Sequence, residues 1–185
     1  PDATIKNSKL WLYFGTGDLQ KLQTLSSNVA NRLYGIKDKD FPNFEAINPA
    51  GTVSQCKTGK NNCPLGAQDL GWYVNLDKSK KVTAEPTIDK NLVYFPVYEP
   101  KPLANICDSG NALLYSSNTI CGDATFRKLG QGVLSKVIVQ DNRLIMGISG
   151  EADKGITSEG NLIILESTQK RGTGKITEES WKENY

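Results

Sequence analysis

The sequence predicts an all-β protein that forms part of a β-propeller, and three observations support this prediction. A two-part phrase of strand-like segments occurs three times in the 185 residues. Its two parts begin about 20 residues apart, and such a fixed spacing indicates units that stack on their neighbours. Further strand-like segments extend each unit toward four short strands, which is the composition of a propeller blade. The paired segments are 10–17 with 31–38, 91–99 with 111–118, and 142–150 with 161–167.

The first unit starts with an aromatic run at 11–14, which Gly15 and Gly17 bring to an end. Such a run predicts a buried strand that ends in a turn. Residues 18–30 place apolar side chains near helical spacing, which predicts a short surface helix or an irregular connection. Further strands are predicted at 31–37 and 71–76. No first strand is identified, so this unit is predicted to be incomplete.

Residues 38–69 form the longest irregular stretch, and this stretch is predicted to be a long inserted loop. Loops of this length are uncommon unless they serve a function or are stapled. A disulfide between Cys56 and Cys63 would hold the tip of this loop in one shape. Because a rigid propeller presents variable loops at its rims, the tip is the strongest candidate for a recognition site. An ordered insertion without a binding role is an equal alternative. The candidate residues at the tip are Lys57, Lys60, Asn61 and Asn62.

The second and third units begin in the same way, with a strand-like segment followed by a tight turn. Residues 81–89 alternate between apolar and polar side chains, as in a half-buried strand, and Pro86 predicts an interruption of that strand. Residues 132–139 open the third unit. Tight hairpin turns are predicted at 89–91 and 140–142, because Asp and Asn tolerate the positive φ that such turns require. Fourth strands are predicted at 125–129 and 179–183.

Propellers usually close with four to eight blades, and this chain holds about three, the first of them incomplete. Residues 1–185 are therefore predicted to be one all-β segment of a larger propeller. The remaining blades would come from the same chain or from a second chain. A self-contained β-sandwich is the alternative, because that architecture also uses many short antiparallel strands.

The four cysteines form two local pairs, 56 with 63 and 107 with 121, and the chain contains no histidine. A zinc site would need four thiolates at unsuitable spacings, so we expect disulfides in an oxidising compartment. Elimination leaves Cys107 to pair with Cys121. The strand between them would span roughly 23 Å, while a disulfide needs Cα atoms within about 7 Å. Either that strand is short and the preceding loop folds back along it, or the pairing crosses units.

Composition and motifs exclude several classes of function. The net charge of +2 is small and evenly spread, which argues against a nucleic-acid interface. No stretch approaches the roughly 18 apolar residues of a membrane span. Histidine, a nucleophile elbow and an isolated carboxylate pair are all absent, so no catalytic constellation is predicted. The aromatic side chains within strands are predicted to pack between blades. These are Trp11, Tyr13, Phe14, Trp72, Tyr94 and Phe95.

Several phrases occur in an order that carries a resemblance to a known family. They are WLYFGTG at 11–17, NRLYGI at 31–36, GWYVNL at 71–76, KVTAEPTI at 81–88, VYFPVY at 93–98, Cys107 before a Leu-rich strand, and SWKE at 180–183. In this order the chain resembles the C-terminal part of the PilC/PilY family, the type IV pilus tip adhesins and biogenesis factors. The resemblance covers most of the chain, and the phrases around Trp72 and 83–86 are its most specific parts.

The resemblance implies the C-terminal blades of a modified seven-bladed propeller that is secreted through the periplasm to the cell surface and pilus tip. It also implies a role in pilus extension and retraction, twitching motility and attachment to host or abiotic surfaces. The implied partners are a pilin or minor pilins.

The family's calcium site is a loop of EF-hand type, rich in Asp and Asn. Here Asp38 and Asp40 lack further ligands, and Asp141 with Asn142 lies in a hairpin turn. No cofactor is therefore expected in this segment, and calcium is expected only in an upstream part of a parent chain. The chain is predicted not to be an enzyme. A quinoprotein-like propeller enzyme and a stand-alone extracellular binding domain are the alternatives.

Overall fold

The computed structural model describes residues 1–25, 30–38, 40–43, 52–55, 69–77, 79–102 and 109–167. In these ranges the protein is all-β, with three sheets that follow one another along the chain and no α-helix. None of the three sheets closes on itself. The predicted fold class is confirmed: three mostly antiparallel sheets of four or five strands fit a partial propeller, and they also fit the alternative of a sandwich.

The first sheet contains five strands in the order β1-β2-β3-β5-β4. Neighbours pair antiparallel except β4, which runs parallel to β5 at the edge of the sheet. The strands are β1 (Asp2–Lys6), β2 (Lys9–Gly15), β3 (Arg32–Asp38), β4 (Thr52–Gln55) and β5 (Asp69–Asn75).

Strand β1 corrects the prediction that the first unit lacks its first strand. It pairs with β2 across a turn at Asn7 and Ser8, whose φ values of 52° and 59° suit a tight hairpin. Its side-chain pattern concealed it, because the apolar Ala3 and Ile5 point to solvent. The strand is formed by backbone pairing, which its side chains do not indicate.

The connection at 18–30 is predicted to be a short surface helix or irregular, and within its described part Leu19–Lys21 forms a short 3₁₀ helix. Asp18 caps this helix by accepting a hydrogen bond from the backbone nitrogen of Gln20. The predicted 38–69 loop contains strand β4, so part of this insertion extends the first sheet. Residues 44–51 and 56–68 of the loop lie outside the described residues.

The second sheet has the order β10-β9-β8-β6, and β7 also pairs with β8. The predicted interruption at Pro86 is confirmed, because it lies in the gap between β6 and β7. The hairpin before β8 contains Lys90 with a φ of 55°, as expected for a tight turn. The strands are β6 (Lys81–Val82), β7 (Thr87–Asp89), β8 (Leu92–Glu99), β9 (Asn111–Asn118) and β10 (Ala124–Gln131).

The third sheet has the order β11-β12-β14-β13. The hairpin predicted between β11 and β12 is confirmed, with φ values of 47° at Asp141 and 66° at Asn142. Strand β11 is shorter than predicted, and the short β13 pairs with β14. The fourth strand predicted at 179–183 lies outside the described residues. The strands are β11 (Ile138–Gln140), β12 (Arg143–Gly147), β13 (Ser158–Glu159) and β14 (Leu162–Glu166).

Two apolar layers hold the three sheets together, and the second sheet contributes to both. Along β8, Val93 and Phe95 point into the layer shared with the first sheet, while Tyr94 points into the layer shared with the third. This alternation follows from the two-residue period of a strand. Five of the six aromatic side chains predicted to pack between units are buried in these layers, namely Trp11, Tyr13, Trp72, Tyr94 and Phe95. Phe14 instead lies on the outer face of the first sheet.

Candidate interaction surfaces

The recognition loop predicted from the sequence cannot be placed, because Lys57, Lys60, Asn61 and Asn62 lie outside the described residues. The same holds for Cys56, Cys63 and Cys107. Cys121 is disulfide-bonded, as expected for this protein, and its partner lies outside the described residues. The pairing of Cys107 with Cys121 stays a prediction.

The outer face of the first sheet is aromatic and apolar. Trp11 and Tyr13 point into the buried layer, so alternation along β2 directs Leu12 and Phe14 to the opposite side. Cross-strand pairing places Leu12 beside Ile36 and aligns Phe14, Tyr34 and Tyr73 in one row. None of these side chains belongs to either apolar layer among the described residues. We name this surface the first end face; it comprises Leu12, Phe14, Tyr34, Ile36 and Tyr73.

Aromatic contacts order the first end face. The rings of Phe14 and Tyr34 are stacked with centroids 4.9 Å apart, and those of Tyr34 and Tyr73 are tilted at 6.0 Å. The guanidinium of Arg32 lies 4.7 Å from the centroid of the Tyr73 ring and donates a hydrogen bond to Asn75 Oδ1 at 2.9 Å. A cation over an aromatic ring is attracted by the ring quadrupole. The face therefore combines a rigid aromatic row with a positively charged margin.

The outer face of the third sheet is aliphatic. Leu144, Met146 and Ile163 point into the second apolar layer, so the residues between them point outward. Register places three isoleucines side by side across β11, β12 and β14, with Leu162 beyond them. Ile138 is 62% exposed and Leu162 is 49% exposed. We name this surface the second end face; it comprises Ile138, Ile145, Leu162 and Ile164.

The buried side chain of Lys80 connects the segment between the first two sheets to the second sheet. Its Nζ lies 2.7 Å from Asp77 Oδ2 and 3.4 Å from Glu99 Oε1, and it donates a hydrogen bond to the Tyr115 hydroxyl at 3.3 Å. It also lies 4.9 Å from the centroid of the Phe126 ring. Burial lowers the pKa of Lys80, but the hydrogen bond to Asp77 and the nearby Tyr115 outweigh burial, so the net pKa is raised.

Lys81 is buried as well, and its side chain points to the segment that connects β2 with β3. Its Nζ donates hydrogen bonds to the backbone carbonyl oxygens of Leu22 at 3.0 Å, Thr24 at 2.9 Å and Ser79 at 3.0 Å. Burial lowers the pKa of this amine, and the charge of Asp18 partly opposes the shift. The sequence pattern places Lys81 at the start of the half-buried strand predicted at 81–89, but it does not indicate that the amine of Lys81 is buried.

Two cavities lined by described residues lie between sheets. The larger, about 450 Å³, opens at the rim between the end of β2 and the 82–86 segment, where Glu85 lies beside Lys136 at 2.9 Å. The smaller, about 170 Å³, lies between the second and third sheets. Neither lining brings together the acid, base and nucleophile of an ordinary catalytic site.

Among the described residues, no three His, Cys, Asp or Glu side chains come together in a group that could hold a metal ion. The described part of the chain likewise contains no helix long and apolar enough to cross a membrane. A comparison of the chain with protein-family models, with curated proteins and with solved structures finds no match.

Proposed function

We propose that the chain is a non-enzymatic propeller segment of a cell-surface protein associated with type IV pili, and that it acts by binding. The observation that carries the structural part of this proposal is the pair of apolar end faces on an open stack of three sheets. The pilus part rests on the resemblance to the PilC/PilY family.

The two end faces match the chemistry of the buried layers. Each inner sheet face is covered by a neighbouring sheet, and each outer face presents side chains of the same apolar kind, such as Phe14 and Ile145. Covering a fully exposed side chain of this kind is worth about 1.5–3 kcal/mol. The side chains of the end faces are already partly buried, so covering each face is worth a few kcal/mol, a substantial fraction of the net stability of a typical domain. We therefore expect further blades, in the same or a second chain, to pack against both end faces.

In this proposal the propeller is a rigid scaffold whose rim loops bind. The partners are a pilin or minor pilins on one side and a host or abiotic surface on the other. The protein travels through the periplasm to the pilus tip, and disulfides such as that of Cys121 suit this oxidising route. Calcium is assigned to an upstream part of the parent chain, where an EF-hand-type loop would supply its oxygen ligands.

Deleting the parent gene tests the pilus role. We expect loss of piliation, twitching motility and surface attachment, and recovery when the wild-type gene is supplied in trans. Unchanged piliation and attachment in the deletion strain would contradict the proposal and favour an extracellular binding domain with no pilus role.

Native mass spectrometry of the 185-residue chain, beside a denaturing non-reducing run, tests the missing blades. We expect the chain to associate with a second polypeptide, or to prove to be cut from a longer one. A folded single chain that shows no self-association would contradict the open stack and favour a self-contained sandwich.

A further inference from the structure

The cavity between the second and third sheets has an apolar floor and a polar entrance. Leu114, Leu144 and Leu165 form part of the floor. Thr125 and Arg127 belong to the same lining, and register places them beside Ser116 and Leu114 on the face of the second sheet that points to the third. The volume of about 170 Å³ is close to that of an apolar protein cavity that binds benzene, about 150 Å³. One leucine-sized or aromatic side chain therefore fits.

Strand β10, which forms one wall of this cavity, is also an edge strand. From Ala124 to Lys128 it pairs regularly with β9, and the register then shifts at a bulge before Gly130. Beyond the bulge, the carbonyl oxygen of Leu129 accepts a hydrogen bond from the nitrogen of Asp153 at 2.8 Å. Within the described part of the chain, no segment other than β9 pairs with 124–128. An exposed edge of this length can accept an added strand.

Two charged side chains belong to the cavity lining, Arg127 on β10 and Glu166 on β14. Arg127 is exposed on the β10 wall, and within the described residues it makes no ion pair. Its neighbour Lys128 already pairs with Asp153 at 3.3 Å. A guanidinium that lacks a carboxylate partner is a strong recognition group for one, because it can form two parallel hydrogen bonds.

We infer that β10 and this cavity form a binding site for an extended polypeptide segment of a protein partner. The segment adds as a strand to the edge at 124–128, inserts one apolar side chain into the cavity, and places an acidic side chain on Arg127. Backbone hydrogen bonds supply affinity and the cavity supplies specificity, as in other cases of strand addition. This inference extends the proposed function by naming the class of partner, and it rests on the proposal that the protein acts by binding.

A displayed library of short random peptides, selected on the purified chain, tests the site. We expect the selected peptides to share an apolar residue with an acidic residue nearby. Two variants should each weaken their binding by roughly tenfold or more. Thr125→Trp fills the cavity entrance from an exposed position, and Arg127→Glu reverses the charge. The matched control is Lys21→Glu, a charge reversal at an exposed residue of the 3₁₀ helix that follows β2 in the first sheet, which should leave binding unchanged.

Three outcomes would overturn the inference. The selection could yield no peptide, or the peptides could bind both variants as well as the wild type. The third outcome needs a shortened chain that ends at Ser167. If the peptides bind this shortened chain but not the full chain, residues 168–185 are the occupant of the site. Because binding is measured on the purified chain, failure here is distinguishable from failure of the pilus role, which the gene deletion tests.

Discussion

The indole nitrogen of Trp72, in the first sheet, donates a hydrogen bond at 2.9 Å to the backbone carbonyl oxygen of Thr119, in the turn that follows β9 of the second sheet. The Tyr13 hydroxyl donates to the same oxygen at 3.1 Å. Both donors are fully buried, and burial raises the pKa of Tyr13 well above its usual value although its hydrogen bond to Thr119 opposes the shift. The two sheets are therefore joined by directional bonds as well as by apolar packing.

Replacing Trp72 with phenylalanine should remove one of these bonds. We expect Trp72→Phe to lower the free energy of unfolding by about 1 kcal/mol more than Trp11→Phe, which removes the same atoms from the same layer. Trp11 stacks on Tyr13 and is equally buried, so it controls for lost packing. Urea unfolding measures both variants, and equal losses would show that the bond to Thr119 contributes nothing.

Gly35 makes room for the indole ring of Trp72. A Cβ atom at Gly35 would lie 2.4 Å from Trp72 Cε2, closer than side chains tolerate. Gly35→Ala should therefore destabilise the protein by about 1–3 kcal/mol, the usual cost of overpacking. Gly147→Ala is the control, because its nearest atom would be 3.5 Å away. Thermal unfolding should separate the two variants clearly, and a similar melting temperature for both would refute this role.

Lys80→Met should lower the free energy of unfolding by about 2 kcal/mol at neutral pH, because it breaks a buried set of charged hydrogen bonds. The control Lys136→Met removes an exposed partner of Glu85 and should cost much less, because water and salt screen exposed ion pairs. Urea unfolding at neutral pH compares the two variants, and equal costs would contradict a special role for Lys80.

The contribution of Lys80 should also depend on pH. Because its folded pKa is raised, this contribution is fully present below the unfolded pKa of about 10.4 and is lost as pH rises through the folded pKa. The stability difference between wild type and Lys80→Met should therefore shrink in alkaline solution. A difference that stays constant above pH 10.4 would contradict this assignment.

Lys81 occupies a cage of three carbonyl oxygens, and removing its ammonium leaves them without that donor. We expect Lys81→Ala to lower the free energy of unfolding by about 2–4 kcal/mol. Ammonium chloride should restore part of the lost thermal stability, and sodium chloride at equal concentration should restore less, because ammonium ions reproduce the lost donor. Equal effects of the two salts would show that the cage does not select the cation by hydrogen bonding.

The second end face should govern assembly more than folding. Ile145→Asp places a charge in the outward-facing row of isoleucines, outside the buried layer. The isolated chain should therefore keep its melting temperature within a few degrees while losing self-association in native mass spectrometry. Gln140→Asp, at an exposed position of β11, adds the same charge beside the row and serves as the control. Unfolding of the Ile145 variant would indicate that this side chain belongs to the core.

Local sequence patterns predicted the parts of the fold that depend on local chemistry. The hairpin at Asp141 and Asn142 followed from residues that tolerate positive φ, and the split between β6 and β7 followed from Pro86. Strand β1 was missed because Ala3 and Ile5 face solvent, which inverts the usual alternation. Its pairing depends on the backbone of β2.

The two buried lysines were missed for a different reason. Lysine is rarely buried without partners, and here several of the partners are distant in sequence: Lys81 bonds to carbonyl oxygens 57 and 59 residues away. No local pattern can indicate such oxygens. The existence of two end faces was partly predictable, because an incomplete propeller must leave two sheet surfaces uncovered. Which residues lie on each face could be determined only from the register of the strands.

Each of the three sheets is assembled from one continuous stretch of chain, a feature with a kinetic consequence. Hairpin pairing brings together residues close in sequence, so each sheet can begin to form without waiting for the others. Only the apolar layers between the sheets require the following stretch of chain to be present as well. A chain that emerges N-terminus first during synthesis or export can thus fold in order, with each finished sheet offering a template surface to the sheet that follows.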